Sequence, residues 1–204
     1  MKVKVCGMTN TDNLNEVLKT SPDFIGLIFY QKSLRYVQRN GFVFNTPKAV
    51  KKVGVFVDEQ LDVILATSQM FSLDLIQLHG DESPEDCWYL SNENQQIIKV
   101  FSISDDFDFN QLRPYQEFVD YFLFDTKGKE RGGSGVKFDW SMLERYELNI
   151  PFFLSGGIAP EDVTQIKSMA HPQLYGIDIN SQFEVSPGIK KATQVGTFIH
   201  QLNK

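Results

Sequence analysis

Pro151-Phe152-Phe153-Leu154-Ser155-Gly156-Gly157-Ile158-Ala159-Pro160-Glu161-Asp162 holds the signals from which the fold is read. Its first five residues are a short apolar run, dense enough for a strand covered on both faces. Two glycines break that run, and Pro160 then stands just inside a helix start with acids in the first turn. The unit reads as strand, tight turn, helix. Seven other runs share its character: Lys2–Cys6, Asp23–Phe29, Lys52–Val57, Asp74–His79, Ile97–Phe101, Asp120–Asp125 and Leu174–Ile179. Helix-period segments accompany several of them. These are Asn13–Leu18, Leu61–Met70, a start at Ser83-Pro84-Glu85 with Ser83 as N-cap, and a last helix over 191–202. Eight strands alternating with helices predict a single (β/α)8 TIM barrel over residues 1–204. The rival fold is an open doubly wound sheet, and eight similar units with nothing left over favour closure. One unit departs: 35–51 contains Asn40-Gly41 and Asn45-Thr46-Pro47 and no amphipathic pattern, so a short or irregular second helix is expected.

Composition narrows the function classes. The chain has 204 residues, 42% of them apolar, and its 20 Lys+Arg against 26 Asp+Glu give a formal net charge of −6. An acidic balance argues against a nucleic-acid surface, and any anionic ligand has to be held by local donors. Two cysteines are too few for a disulfide scaffold, which suits a reducing compartment. The first residues enter a strand pattern directly, without a signal-peptide h-region, and no apolar stretch approaches a membrane span. The expectation is a cytoplasmic protein with a small-molecule partner, no membrane and no nucleic acid, as a monomer or homodimer.

In a parallel barrel, chemistry is expected where strands run into their following loops. Those positions hold Cys6, the loop 29–35, Val57-Asp58, His79, Ser102, Asp125, Ser155 and Asp178. Gly156 and Gly157 after the seventh strand allow backbone N–H groups to approach an anion, and Asn180-Ser181 follow the eighth strand in the equivalent place. The pair of loops fits a phosphate site; the plainer reading is a tight turn. Arg131-Gly132-Gly133-Ser134-Gly135 is either a mobile loop over the mouth or an ordinary surface loop. Cys6 reads as a small buried hydrophobe or as a thiolate acting as base or nucleophile, whereas Cys87, beside Trp88 on a predicted helix, reads as structural. Asp125 closes the apolar run Phe122-Leu123-Phe124 and is either a loop anchor or a catalytic carboxyl. Arg35 is a candidate clamp for a carboxylate, or an exposed loop charge. The three histidines lack metal-ligand spacing, so no metal is expected.

Several stretches together resemble the phosphoribosylanthranilate isomerase family. They are Lys4-Val5-Cys6-Gly7-Met8-Thr9, Gly26-Leu27-Ile28-Phe29-Tyr30 with Ser33-Leu34-Arg35-Tyr36, and Val53-Gly54-Val55-Phe56-Val57. Ile76-Gln77-Leu78-His79-Gly80-Asp81-Glu82, Gly132-Gly133-Ser134-Gly135 with Phe138-Asp139-Trp140, and Leu154-Ser155-Gly156-Gly157-Ile158 follow. Ile177-Asp178-Ile179-Asn180-Ser181 and Ser186-Pro187-Gly188 complete the set, in family order. The resemblance implies a cofactor-free Amadori rearrangement of N-(5′-phosphoribosyl)anthranilate, the third step from chorismate to tryptophan. It makes Cys6 the general base and Asp125 the general acid. It places Arg35, His79 and Asp178 among the substrate-binding residues, Arg35 at the anthranilate group and Asp178 near the amine. Gly156, Gly157, Asn180 and Ser181 would hold the phosphate. The chain departs from the family pattern at Asn180, Gln182 and Ala192. A thiol is mostly protonated at neutral pH, so a site of this kind has to supply stabilising donors or positive charge to Cys6. The competing readings are another phosphosugar barrel and a non-catalytic phosphate-binding barrel. A lysine-dependent synthase finds only Lys99, inside the fifth strand, and a metal-dependent epimerase finds no ligand set. A non-catalytic barrel requires Cys6 or Asp125 to point into packed core.

Overall fold

The alternation of apolar strands and turn-punctuated connectors resolves, in a computed structural model, into eight parallel strands closed on themselves in sequence order. The structure describes residues 1–37, 45–126 and 138–204. The strands are β1 (Lys2–Cys6), β2 (Phe24–Ile28), β3 (Lys51–Phe56), β4 (Leu75–Leu78), β5 (Gln96–Ile103), β6 (Tyr121–Thr126), β7 (Phe152–Leu154) and β8 (Leu174–Ile179). β8 returns to β1 with Lys4 opposite Asp178, and β1 pairs β2 with Cys6 opposite Gly26. The barrel is therefore closed, and the open-sheet alternative falls.

The outer layer is less regular than the barrel. Helices α1 (Thr11–Leu18), α2 (Leu61–Phe71), α3 (Pro84–Asn92) and α4 (Val163–Ser168) occupy four of the connections, and α5 (Ala192–Asn203) follows the last strand. Ser83 caps α3 in a reciprocal box: its hydroxyl accepts from Asp86 N–H while the Asp86 carboxylate accepts from Ser83 N–H. After β5 and β6 the connectors are instead 3₁₀ segments, Phe109–Tyr115 and Trp140–Arg145. Pro114 lies inside the first and cannot donate to a helical ladder. Between β2 and β3 no helix occurs among the described residues, in line with the irregular second unit; residues 38–44 lie outside them.

Strand alternation divides the buried residues into two sets. One face of each strand packs outward against the helices, in a large cluster that includes Val3, Ile25, Ile76, Phe122 and Ile177. The other face fills the barrel with Phe24, Val53, Leu75, Ile98, Val100, Leu123 and Phe153, flanked by Tyr121 and Tyr175. Phe153 meets Phe24 edge-on at 5.3 Å, and Tyr121 lies 4.9 Å from Tyr175. This apolar floor closes one end of the barrel. Three acids that open strand runs have a distinct task there: the carboxylates of Asp23, Asp74 and Asp120 accept from the N–H of Val3, Lys52 and Ile97 at 2.9, 2.7 and 2.8 Å. Each satisfies a donor at the start of the preceding strand.

Candidate active site

Several inward-facing rows run from the apolar floor to a polar mouth. Two residues beyond Leu75 stands Gln77 and two further His79; Leu123 leads to Asp125, Phe153 to Ser155, and Asp178 to Asn180. All nine residues expected from the sequence line one cavity: Cys6, Arg35, His79, Asp125, Gly156, Gly157, Asp178, Asn180 and Ser181. Gln77 and Ser155 share it. The convergence follows from parallel strands of matched register, which deliver every strand end to the same face.

Cys6 is buried at the end of β1, and its sulfur has room only because its cross-strand neighbour lacks a side chain. A Cβ on Gly26 would stand 2.7 Å from Sγ and 3.1 Å from Cys6 Cα. Burial pushes the thiol up from its ordinary value, while the Lys4 and Lys190 ammonium groups pull it down. Lys4 is fully buried and donates to Asp178 Oδ1 at 2.9 Å. Burial pushes the Asp178 carboxyl up, and Lys4 opposes this. Both lysines were absent from the sequence expectations.

Asp125 Oδ1 accepts from Thr126 N–H at 2.8 Å, and Oδ2 lies 3.4 Å from His79 Nε2. Gln77 Nε2 is 3.1 Å from His79 Nδ1. With the Gln77 amide donating, Nδ1 accepts, and the imidazole proton sits on Nε2 facing the Asp125 carboxyl. Neither Cys6 nor Asp125 turns into the packed floor, as a non-catalytic barrel would require.

Gly156 and Gly157 both take left-handed conformations, with φ of +91° and +64°. A side chain at position 156 would also fall on the Thr126 hydroxyl and backbone nitrogen, so the turn packs tightly against the end of β6. Opposite it, Ser181 opens the 3₁₀ turn Ser181–Phe183, and no side chain caps that turn. Asn180 Oδ1 is engaged by Lys190 Nζ at 2.6 Å. The anion-binding capacity of the two loops therefore lies in their backbone N–H groups more than in the Asn180 side chain.

Arg35 is not an exposed loop charge. Its Nε lies 2.9 and 3.1 Å from the two Glu184 carboxylate oxygens, and Nη2 lies 2.7 Å from Oε2. Lys190 donates to the same carboxylate at 2.6 Å. Although burial pushes Glu184 up, Arg35 and Lys190 outweigh it and hold the carboxyl below its ordinary value. The forked geometry expected for a ligand carboxylate is thus occupied by the protein's own. Glu184 and Lys190 lie on the hairpin β9 (Glu184–Ser186) and β10 (Ile189–Lys190), which folds back after β8 and has no counterpart in the eightfold pattern.

Other expectations find different places. Lys99 donates to Gly80 O and Glu82 Oε2 at 2.8 and 2.9 Å beside a separate hollow, and does not line the central cavity. Cys87 is buried, with its thiol pushed up to about 12 by desolvation. The glycine loop 131–135 lies outside the described residues. Among the described residues, no group of three His, Cys, Asp or Glu is placed to hold a metal, and no helix is long and apolar enough to cross a membrane.

Comparison with known proteins bears on the same geometry. Residues 3–201 match the family model described as N-(5′-phosphoribosyl)anthranilate (PRA) isomerase. The enzyme of that name from Parabacteroides distasonis is 43% identical over 206 residues, covering 99% of this chain and 93% of its own. The crystal structure of phosphoribosyl anthranilate isomerase from Thermotoga maritima superposes with a TM-score of 0.85 at 32% identity, covering 100% of this chain and 98% of that one. A phosphoribosyl anthranilate isomerase in complex with reduced 1-(o-carboxyphenylamino)-1-deoxyribulose 5-phosphate gives a TM-score of 0.81 at 30% identity, with the same coverage. A closed barrel whose whole length matches these proteins leads to one conclusion: the chain belongs to the N-(5′-phosphoribosyl)anthranilate isomerase family.

Proposed function

We propose that Asp125 and Cys6 divide the proton transfers of this chain's reaction, Asp125 as general acid and Cys6 as general base. The chain is an isomerase of tryptophan biosynthesis. It converts N-(5′-phosphoribosyl)anthranilate to 1-(2-carboxyphenylamino)-1-deoxyribulose 5-phosphate by an Amadori rearrangement. In the first step protonated Asp125 gives its proton to the ring oxygen. The C1′–O bond breaks as the nitrogen lone pair forms an iminium. The iminium makes the C2′ proton acidic, and the Cys6 thiolate removes it, so the electron pair returns to nitrogen as an enolamine. The enolamine tautomerises to the ketone by losing its hydroxyl proton and gaining one at C1′. Each positioned transfer is typically worth about 10²–10⁴-fold in rate.

The remaining residues bind and orient. Backbone N–H groups of Gly156, Gly157 and Ser181 hold the phosphate. Asn180 shapes that loop through its bond to Lys190. Arg35 exchanges the Glu184 carboxylate for the anthranilate carboxylate, which its fork fits equally well. Asp178 faces the amine, and His79 steadies the Asp125 carboxyl through the Gln77–His79 chain. A monomer or a homodimer can run this chemistry, since every residue named comes from one chain. The partner is the small-molecule substrate, with no nucleic acid involved.

The observation that carries the reading is that Cys6 of β1 and Asp125 of β6 line one cavity, together with the glycine turn and Arg35. The direct test follows the loss of phosphoribosylanthranilate fluorescence with purified protein. Wild type is expected to consume the substrate and Cys6→Ala to leave it. Equal rates for the two would remove Cys6 from the mechanism.

A further inference from the structure

We propose that Lys4 is a positioning residue for the reaction: its buried ammonium, paired with Asp178 and set on the same inward face of β1 as Cys6, supplies the positive charge against which the Cys6 thiolate forms. The proposal rests on the reading of Cys6 as the base.

The argument begins with where Lys4 stands. It lies in the run Val3-Lys4-Val5-Cys6, where strand alternation puts residues 4 and 6 on the same inward face. Its side chain is fully buried beneath the cavity. An ammonium in that position is costly to desolvate, and an apolar residue of similar volume would fill the barrel without that cost. One of its three donors is satisfied by Asp178, at 2.9 Å across the β1–β8 seam. The Cys6 sulfur is its other charged-state partner, and the two groups stabilise one another's ionised forms.

Among the described residues the charges around Cys6 can be named. Lys4 comes from its own strand, Asp178 from β8 and Lys190 from β10. β2 presents only Gly26. Beyond Lys190 lie Glu184 and Arg35, and beyond Asp178 lie His79 and Asp125. Lys190 is held at 2.6 Å by both Asn180 and Glu184, a carboxylate that is not itself among the groups acting on Cys6. Lys4 is the cation whose partner competes directly with the thiolate. Removing Asp178 therefore frees Lys4 for Cys6, and removing Lys4 leaves the thiol facing a carboxylate. The two buried neighbours act on the thiol with opposite signs.

The test reads the thiolate without relying on turnover. The pH dependence of Cys6 alkylation by iodoacetamide, followed by mass spectrometry of the Cys6 peptide so that Cys87 does not contribute, is measured for wild type, Lys4→Met, Asp178→Asn and Lys4→Met/Asp178→Asn. The double variant holds neither buried charge and so avoids an unpaired carboxylate if Lys4→Met alone fails to fold. The midpoint is expected to fall in Asp178→Asn and to rise in Lys4→Met. In the double variant it is expected about one pH unit or more above Asp178→Asn. The base-dependent limb of kcat/KM is expected to move with it. Coincident midpoints for Asp178→Asn and the double variant overturn the proposal. The two failures separate cleanly. If Cys6→Ala turns over normally, the base assignment falls; if Cys6→Ala is inactive and the midpoints coincide, only the role of Lys4 falls.

Discussion

Gly26→Ala puts one methyl group where the account says there is no room. A Cβ at that position would stand 2.7 Å from Cys6 Sγ, 3.1 Å from Cys6 Cα and 3.2 Å from Cys6 Cβ. Ordinary contact begins near 3.4 Å, so the sulfur has to retreat by roughly 0.7 Å and the Cys6 backbone by roughly 0.3 Å. Retreat is not free, because Gly7 N–H and Met8 N–H both donate to Gly26 O, at 2.9 and 3.3 Å, and tie the end of β1 to β2. Overpacking of this kind costs about 1–3 kcal/mol of stability. Its effect on catalysis is larger: a reacting group misplaced by about 1 Å can lose on the order of 10²-fold in rate. Gly54→Ala serves as the control. Its Cβ would meet the Leu73 and Phe56 side chains on the outer face of the barrel, away from the cavity. The measurement pairs kcat from the fluorescence assay with urea unfolding for both variants. Gly26→Ala is expected to lose about 10²-fold in kcat while still folded, and Gly54→Ala to lose stability with kcat nearly intact. If Gly26→Ala keeps kcat within about threefold of wild type, the position of the Cys6 thiol does not govern the reaction.

Other consequences follow from the same geometry. With Arg35 as the proposed clamp for the substrate carboxylate, Arg35→Ala is expected to lower kcat/KM by about 10²-fold, mostly through KM, in steady-state kinetics. Glu184 has a depressed pKa in the folded protein, so its stabilising contribution is complete above the ordinary glutamate value and is lost as pH falls toward the folded one. Urea midpoints taken across acidic pH are therefore expected to fall less steeply for Glu184→Gln than for wild type. Phe153→Ala opens the aromatic floor of the barrel and is expected to cost about 3–5 kcal/mol by denaturant unfolding, since Phe153 is fully buried against Phe24, Tyr121 and Tyr175.

The barrel was legible in the sequence because parallel strands covered on both faces leave dense apolar runs, and Lys2–Cys6 and Leu174–Ile179 match β1 and β8 end to end. The outer layer was less so. The segments after β5 and β6 close by 3₁₀ turns around Phe109–Tyr115 and Trp140–Arg145, where burial of a few aromatic anchors replaces a periodic helical face. At the site, the strand-end residues could be read because closure brings strand ends together. The charges around them could not all be read in this way. Lys4 carries a usable signal, an inward-facing lysine two residues before Cys6 inside an apolar strand. Glu184 and Lys190 carry none in the repeat itself, because they reach the site through a hairpin added after the eighth strand. The sequence also could not reveal that Arg35 holds a carboxylate of its own, which depends on contact across 149 positions of chain.

The central claim is that Cys6 and Asp125 move protons while other groups bind the substrate. It is tested most directly by measuring turnover and affinity side by side in Cys6→Ala and Asp125→Asn, with reduced 1-(o-carboxyphenylamino)-1-deoxyribulose 5-phosphate as the bound probe. The account predicts that kcat falls by about 10²–10⁴-fold in each variant while the Kd for the probe stays within a few-fold of wild type. Near-normal kcat in either variant, or a loss of affinity that matches the loss of rate, would contradict it.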